Sequence, residues 1–205
     1  PAGTLPQDIA VGDFNVDGKP DFVVTNGDVN SHVRVYFGDG SGTNWPAPSI
    51  VSTQNGGGTG GQFPNNMTVK DLNFDGAPDI VTSNSGSDTL TILYNTGSGT
   101  FFSLDFATFV STGDNPGDIV SEDMNGDGAP DLILINRVDS TVSVRFNNYS
   151  GGANPFPSFP SSTTVPVAGS PEGLAIADLG AEEGDGDRDI LVATISAGVK
   201  VLLNN

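Results

Sequence analysis

The chain has 205 residues, 28 of them Gly and 14 Pro, no Cys, and a formal charge of −18. Such a composition favours many short strands joined by tight turns over long helices, and it excludes a disulfide framework or a thiolate metal site. The acidity argues against nucleic acid, whose phosphates need basic patches, and no apolar run approaches the ~20 residues of a membrane span.

The sequence opens on Pro1, not on a start methionine, and is expected to be a mature product or a piece of a longer chain. After Pro6 an apolar run at 9–11 predicts a strand, followed by the acidic stretch Asp13-Phe-Asn-Val-Asp-Gly-Lys-Pro-Asp21. A second strand leaves that stretch at 22–24, a third alternates over 33–36, and a weaker fourth lies at 50–51. The series restarts at Pro64, with strands at 67–69, 80–81, 90–93 and 107–110 around the stretch from Asp71 to Asp79. It restarts again at Pro116, with strands at 119–120, 132–135, 142–145 and 164–167 around Asp123 to Asp131. From Pro171 come strands at 174–176, 190–192 and 199–201 around a longer stretch, Asp178 to Asp189, and the sequence stops at Asn205 without a fourth strand.

The second strands are apolar on both faces, as central strands of packed sheets tend to be. The third strands alternate with period two, which predicts one polar face and one buried face. Pro166 in the last of the weak strands suits an outer edge, where a missing N–H costs little. Self-similarity at a fixed period marks a repeat architecture, and repeated four-stranded units of ~40–60 residues are the signature of propeller blades. The expected fold is therefore all-β: a single propeller domain over 1–205 with four blade-like repeats of about 52–58 residues, roughly 4–61, 62–113, 114–168 and 169–205. A right-handed solenoid of hairpins is the alternative. The last blade is expected to lack its outer strand, which leaves an edge open to pairing.

The three short acidic stretches share one chemistry. Oxygen-bearing side chains recur at positions one, three, five and nine: Asp13, Asn15, Asp17 and Asp21; Asp71, Asn73, Asp75 and Asp79; Asp123, Asn125, Asp127 and Asp131. With Gly at position six for a sharp turn, such a set suits a hard cation such as Ca2+. Three carboxylates a few Å apart repel by roughly 4 kcal/mol per pair at an effective dielectric of about 20, and a dication turns that cost into attraction. An EF-hand is excluded, because it needs an acidic ligand at position twelve and a following helix, whereas position twelve here is Val24, Thr82 or Leu134. Asp-Gly hairpin turns without metal are the plainer reading of any one loop; the same four ligand positions in three loops favour metal.

The motif Asp-x-Asn-x-Asp-Gly-x-Pro-Asp, followed at once by a strand, resembles the VCBS / FG-GAP type of calcium-binding propeller repeat, the class that includes integrin α-subunit heads and many secreted bacterial proteins. The resemblance implies that the carbonyl of position seven joins the ligand set, which adds Lys19, Ala77 and Ala129. It implies three calcium loops on tight hairpins between the first two strands of each blade. The fourth loop carries three inserted residues; Asp178, Asp185, Asp187 and Asp189 are its candidate ligands, with Glu182 and Glu183 as spares.

The resulting expectation is a non-catalytic, extracellular calcium-binding module for adhesion or assembly, binding a protein or glycan surface and able to form a homo-oligomer or filament through the open edge. A lectin using the aromatic turns at Trp45, Phe101 and Phe156 is the alternative, as is a non-catalytic part of a carbohydrate-active enzyme; packing between blades is the plainer role of those aromatics. His32, the only histidine, is expected on a strand surface, and a nucleophilic triad has no other base to use. The glycine run at 55–61 lacks the following Gly-Lys-Ser/Thr of a phosphate loop and reads as a connection between blades.

Overall fold

The computed structural model describes residues 4–28, 30–54, 61–97, 108–151, 156–179 and 187–204. Fifteen strands and no helix are found among them. The first sheet is β1 (Pro6–Gly12), β2 (Asp21–Asn26), β3 (His32–Tyr36) and β4 (Ser49–Ser52). The second is β5 (Pro64–Lys70), β6 (Asp79–Asn84), β7 (Thr89–Leu93) and β8 (Thr108–Ser111). The third is β9 (Pro116–Glu122), β10 (Asp131–Asn136), β11 (Thr141–Phe146) and β12 (Ser161–Pro166), and the fourth is β13 (Pro171–Ala177), β14 (Asp189–Thr194) and β15 (Gly198–Leu202). Every sheet pairs its strands antiparallel in sequence order.

Each first strand begins on the repeated proline, where a missing N–H is tolerated. The residue before it turns its carbonyl to the far end of the second strand: Gly27 N donates to Leu5 O, Ser85 N to Phe63 O, Arg137 N to Asn115 O and Ile195 N to Ser170 O. Leu5, Phe63 and Asn115 take positive φ to do so, and the strand pairing shifts register just beyond each of the four prolines. The proline thus marks a bulge that closes the inner end of each sheet.

The first strands stand side by side, β1 against β5, β5 against β9 and β9 against β13. The sheets radiate from that row as the blades of a propeller, in an arc whose end strands β1 and β13 do not pack together in this way. The apolar core lies between blades. Val23 and Val33 meet Ile80 and Leu93 in the first interface; Val81, Leu90 and Tyr94 meet Leu132 and Leu134 in the second; Ile133 and Val142 meet Ile190 and Val192 in the third. Alternate residues of β6 and β10 therefore serve opposite interfaces, which is why those strands read as unbroken apolar runs.

The polar side of the third strands is not a solvent face. Thr91 and Ser143 are buried, and their hydroxyls accept from the side chains of Asn84 (3.0 Å) and Asn136 (3.0 Å) at the ends of the second strands. Thr91 Oγ1 also donates to Thr53 O of the preceding blade at 3.1 Å. Alternation recorded polarity here, while the neighbouring blade removed the water. In β15, where no further strand lies beside it among the described residues, Val199 and Val201 are exposed instead.

Leu90 is fully buried in the second interface. Leu90→Ala should lower the stability measured by urea unfolding by about 2–5 kcal/mol, whereas Val199→Ala, on the exposed side of β15, should change it by less than about 0.5 kcal/mol.

Candidate metal centre

In the first three blades the acidic stretch is the hairpin between first and second strands, and it folds as successive turns in which side chains cap backbone amides. Asp13 accepts from the N–H groups of Asp17 (2.9 Å) and Gly18 (2.7 Å). Asp71 accepts from Asp75 (3.2 Å) and Gly76 (2.9 Å), and Asp123 from Gly126 (2.8 Å) and Gly128 (2.7 Å). The position-three amide oxygens of Asn15, Asn73 and Asn125 accept from the N–H of position five at 3.2, 3.2 and 3.0 Å. Position five in turn accepts from the N–H of position seven: Asp17 from Lys19, Asp75 from Ala77 and Asp127 from Ala129, at 3.0, 2.9 and 2.8 Å.

This winding forces the left-handed region at two places per loop. Gly18, Gly76 and Gly128 have φ of 81, 89 and 89°, and position four is Val16 (56°), Phe74 (57°) or Gly126 (74°). Valine rarely adopts such a conformation; it is retained because the carboxylates on either side pin the turn.

The ninth-position carboxylate is placed differently. Asp21, Asp79, Asp131 and Asp189 are all buried, and each uses both oxygens on backbone amides. One oxygen takes the N–H of position two: Phe14 (2.9 Å), Leu72 (3.0 Å), Met124 (3.0 Å) and Leu179 (2.8 Å). The other takes the N–H of a residue one or two positions beyond the third strand: Gly38 (2.7 Å), Asn95 (2.8 Å), Asn147 (2.8 Å) and Asn204 (2.9 Å). Burial pushes the Asp79 carboxyl up to about 7 against the pull of those N–H bonds, with Asp75 and Asp71 adding repulsion; Asp131 is raised for the same reasons.

Positions one, three and five are thus gathered on one turn with position nine beneath them. Among the described residues no three acidic or histidine side chains close into a ready metal cluster, since the carboxylates serve the loop's own amides. The donor set nevertheless fits a hard dication. It is all oxygen, it carries three carboxylates per loop, and a carboxylate oxygen that accepts one N–H retains a second lone pair. The outer oxygen of position five already takes a side-chain donor: the Lys19 ammonium, Nζ at 3.4 Å from Asp17 Oδ2, and the neutral side-chain amides of Asn73 (3.0 Å) and Asn125 (2.9 Å) on Asp75 and Asp127.

In the fourth loop, Asp189 keeps both of its bonds although the loop is longer. Asp178 and Asp187 lie at the loop's two ends, while Asp185, Glu182 and Glu183 lie outside the described residues, as does Phe101. Trp45 packs edge-on against Phe22 of its own blade at 4.7 Å, not between blades, and remains 39% exposed. Phe156 does pack between blades, on Tyr94 at 5.0 Å. His32 is buried, contrary to its expected place on a surface. Its Nε2 accepts from Arg34 Nε at 3.0 Å, its Nδ1 faces Asp28 Oδ1 at 3.7 Å, and burial lowers its pKa so that the ring is neutral near pH 7.

Sequence reasoning missed the asparagines after the third strands. The Asn95 side chain donates to Phe14 O (2.8 Å), Asn147 to Leu72 O (3.0 Å) and Asn204 to Met124 O (2.8 Å), each in the preceding blade's loop. An Asn at a near-constant distance beyond Asp79, Asp131 and Asp189 was the available signal.

The model for the FG-GAP-like repeat matches residues 13–82 and 71–134, each match beginning on the first aspartate of a loop. No curated protein sequence matches the chain. Two crystal structures of BBS1N in complex with ARL6DN, one soaked with lead and one with mercury, are similar in fold at TM-scores of 0.59 and 0.58, with 12% and 11% identity. The similarity spans 97% and 96% of this chain and 50% and 48% of BBS1N, so the chain spans about half the length of those structures.

Positions five and nine should separate cleanly in chelator. Asp79→Ala leaves two buried N–H groups without acceptors and should lose about 2–5 kcal/mol in urea unfolding with EGTA present. Asp75→Asn, on the exposed turn, should lose less than about 1 kcal/mol under the same conditions.

Proposed function

The chain belongs to the FG-GAP-like repeat family, and on that footing we propose that it is a non-catalytic, extracellular propeller module, rigidified by calcium, that works in adhesion or assembly by binding a protein surface. The observation that carries the calcium reading is the threefold recurrence of one oxygen donor set on one turn geometry, in a chain of formal charge −18. In the first loop Asp13, Asn15, Asp17 and Asp21 would hold the ion with the carbonyl of Lys19. Asp71, Asn73, Asp75, Asp79 and Ala77 serve in the second, and Asp123, Asn125, Asp127, Asp131 and Ala129 in the third. Calcium supplies charge neutralisation and fixes the loops at one end of the blades; it takes part in no reaction.

Protein recognition draws support from the BBS1N structures, in which a propeller of the same fold is in complex with a protein partner. Among the described residues no blade covers the outer side of the fourth sheet and no strand pairs with the outer edge of β15, where Val199, Val201 and Leu203 offer an apolar surface. A second copy of the chain is the partner we assign to it, because that edge supplies unpaired backbone groups for strand addition.

Calcium at millimolar concentration, bound at ~10⁻⁴–10⁻³ M, stabilises each loop by about 1 kcal/mol. Across three loops EGTA should therefore lower the melting temperature by about 6–12 °C. An unchanged melt, together with no calcium by elemental analysis, would remove the calcium reading. Light scattering in calcium should show mass rising with concentration above the monomer value, and Val199→Glu with Val201→Glu should return it to monomer. A wild-type chain that stays monomeric throughout would remove self-association.

A further inference from the structure

The loops of successive blades are joined by an unbroken series of hydrogen bonds. Starting from the fourth blade, Asp189 accepts from Asn204 N, and the Asn204 side chain donates to Met124 O. Met124 N donates to Asp131, which also accepts from Asn147 N, and the Asn147 side chain donates to Leu72 O. Leu72 N donates to Asp79, which accepts from Asn95 N, and the Asn95 side chain donates to Phe14 O. Phe14 N donates to Asp21, which accepts from Gly38 N, where the series ends for want of a side chain.

Two features make this more than a scaffold. Every link on the loop side is position two of an acidic loop, and every carboxylate in the series is that loop's ninth position. At two of the three bridges the members are also buried: Asn95 and Asn147 are 0% and 2% exposed, and Leu72 and Phe14 are both 0% exposed, while Asn204 is half-buried. At the two buried bridges water therefore cannot substitute for a bond that is lost, and hydrogen bonds in series polarise one another. Drawing Asp131 toward a cation moves or stiffens Asn147, whose amide bridges Pro130 O (3.2 Å) in its own blade and Leu72 O in the blade before it.

We propose that Asn95, Asn147 and Asn204 are positioning residues that couple each loop to the next, so that the calcium sites load as a linked array. The inference rests on the calcium reading above and concerns how those sites communicate. The coupling is carried by the asparagine side-chain amide, which reaches across the blade interface, while the backbone N–H secures the loop of its own blade. The first loop, whose own blade has Gly38 at this position, is linked only through Asn95. The second loop lies in the middle of the series and feels both neighbours.

The test follows the amide resonances of Gly76 and Gly128, whose N–H groups are bound by Asp71 and Asp123, through a calcium titration of the whole chain by NMR. Two variants disable one loop each from the exposed position five, Asp75→Asn in the second loop and Asp127→Asn in the third. In Asp127→Asn the Gly76 transition should move to at least about fivefold higher calcium, and in Asp75→Asn the Gly128 transition should move by the same factor, because coupling free energies are reciprocal. Asn147→Asp replaces the bridging amide by an oxygen that faces two carbonyls. It should displace the Gly76 transition as far as Asp127→Asn does, and Asp127→Asn added to it should move Gly76 no further. If Gly76 titrates as in the wild type when the third loop is disabled, the coupling is overturned while calcium binding stands. If neither glycine responds to calcium in the wild type, calcium binding itself is overturned and the coupling with it. Should Asn147→Asp fail to fold, the reciprocal pair of loop variants decides the question alone.

Discussion

A carboxylate buried at the root of each hairpin is the constraint on which the blade depends. Asp21, Asp79, Asp131 and Asp189 are no more than 2% exposed, and burying an ionised carboxylate costs several kcal/mol unless its oxygens are bonded. Each meets that cost with two backbone N–H donors, one from the loop and one from beyond the third strand. The second strand must therefore begin at the aspartate, the loop must return over it, and the third strand must end beside it. All of these bonds are made by the chain's own groups. The fourth loop follows the same rule, since Asp189 keeps both bonds around a longer connection.

The interfaces between blades follow from the same economy of polar groups. Apolar side chains from alternate positions of the second strands fill both sides of a blade, and burial of that area supplies the main driving force. Apolar packing alone leaves sliding between flat sheets cheap. The polar contacts fix the register: Asp8 accepts from Met67 N at 2.9 Å, Asp118 from Leu174 N at 2.8 Å, and Ser83 Oγ donates to Gly117 O at 2.6 Å, all across blade boundaries near the inner strands. The asparagines do the same at the loop end. Each blade is thus held to the next at two separated places by bonds that only one alignment satisfies.

Much of this was legible in the sequence, and the exceptions have a common cause. The prolines, the acidic loops and the doubly apolar second strands are local patterns, set by the chain's own conformation, and they fell where the pattern placed them. Thr91 and His32 were misread because a period of two reports which side chains are polar, not whether a neighbouring blade covers them. Trp45 was assigned to a blade interface on its recurrence alone, whereas its partner Phe22 lies in the same sheet. The asparagines were overlooked because a single polar residue after a strand has no local signature. Its role exists only across the interface, at Phe14, Leu72 and Met124, more than seventy positions away.

The two outer sides of the arc, uncovered among the described residues, depart from the internal interfaces in matching ways. Where the later blades carry an asparagine, the first has Gly38, over which the Trp45 ring lies, and a Cβ there would run into the Pro20 carbonyl. Where the first and third blades carry Asp8 and Asp118, the fourth has Gly173. Neither outer side therefore presents the side chain that registers one blade on the next. What they present is apolar: Ile9, Val11 and Ile50 on one, Val199 and Val201 on the other, with Arg34 opposite Ile50 as a charge beside the first set. A partner on either side is met by apolar burial and, at β15, by strand pairing, without the clamps that make the internal alignment unique. For a module that binds a partner as proposed above, these surfaces would draw specificity from shape and edge register, features that reside at the strand edge and not in the acidic loops.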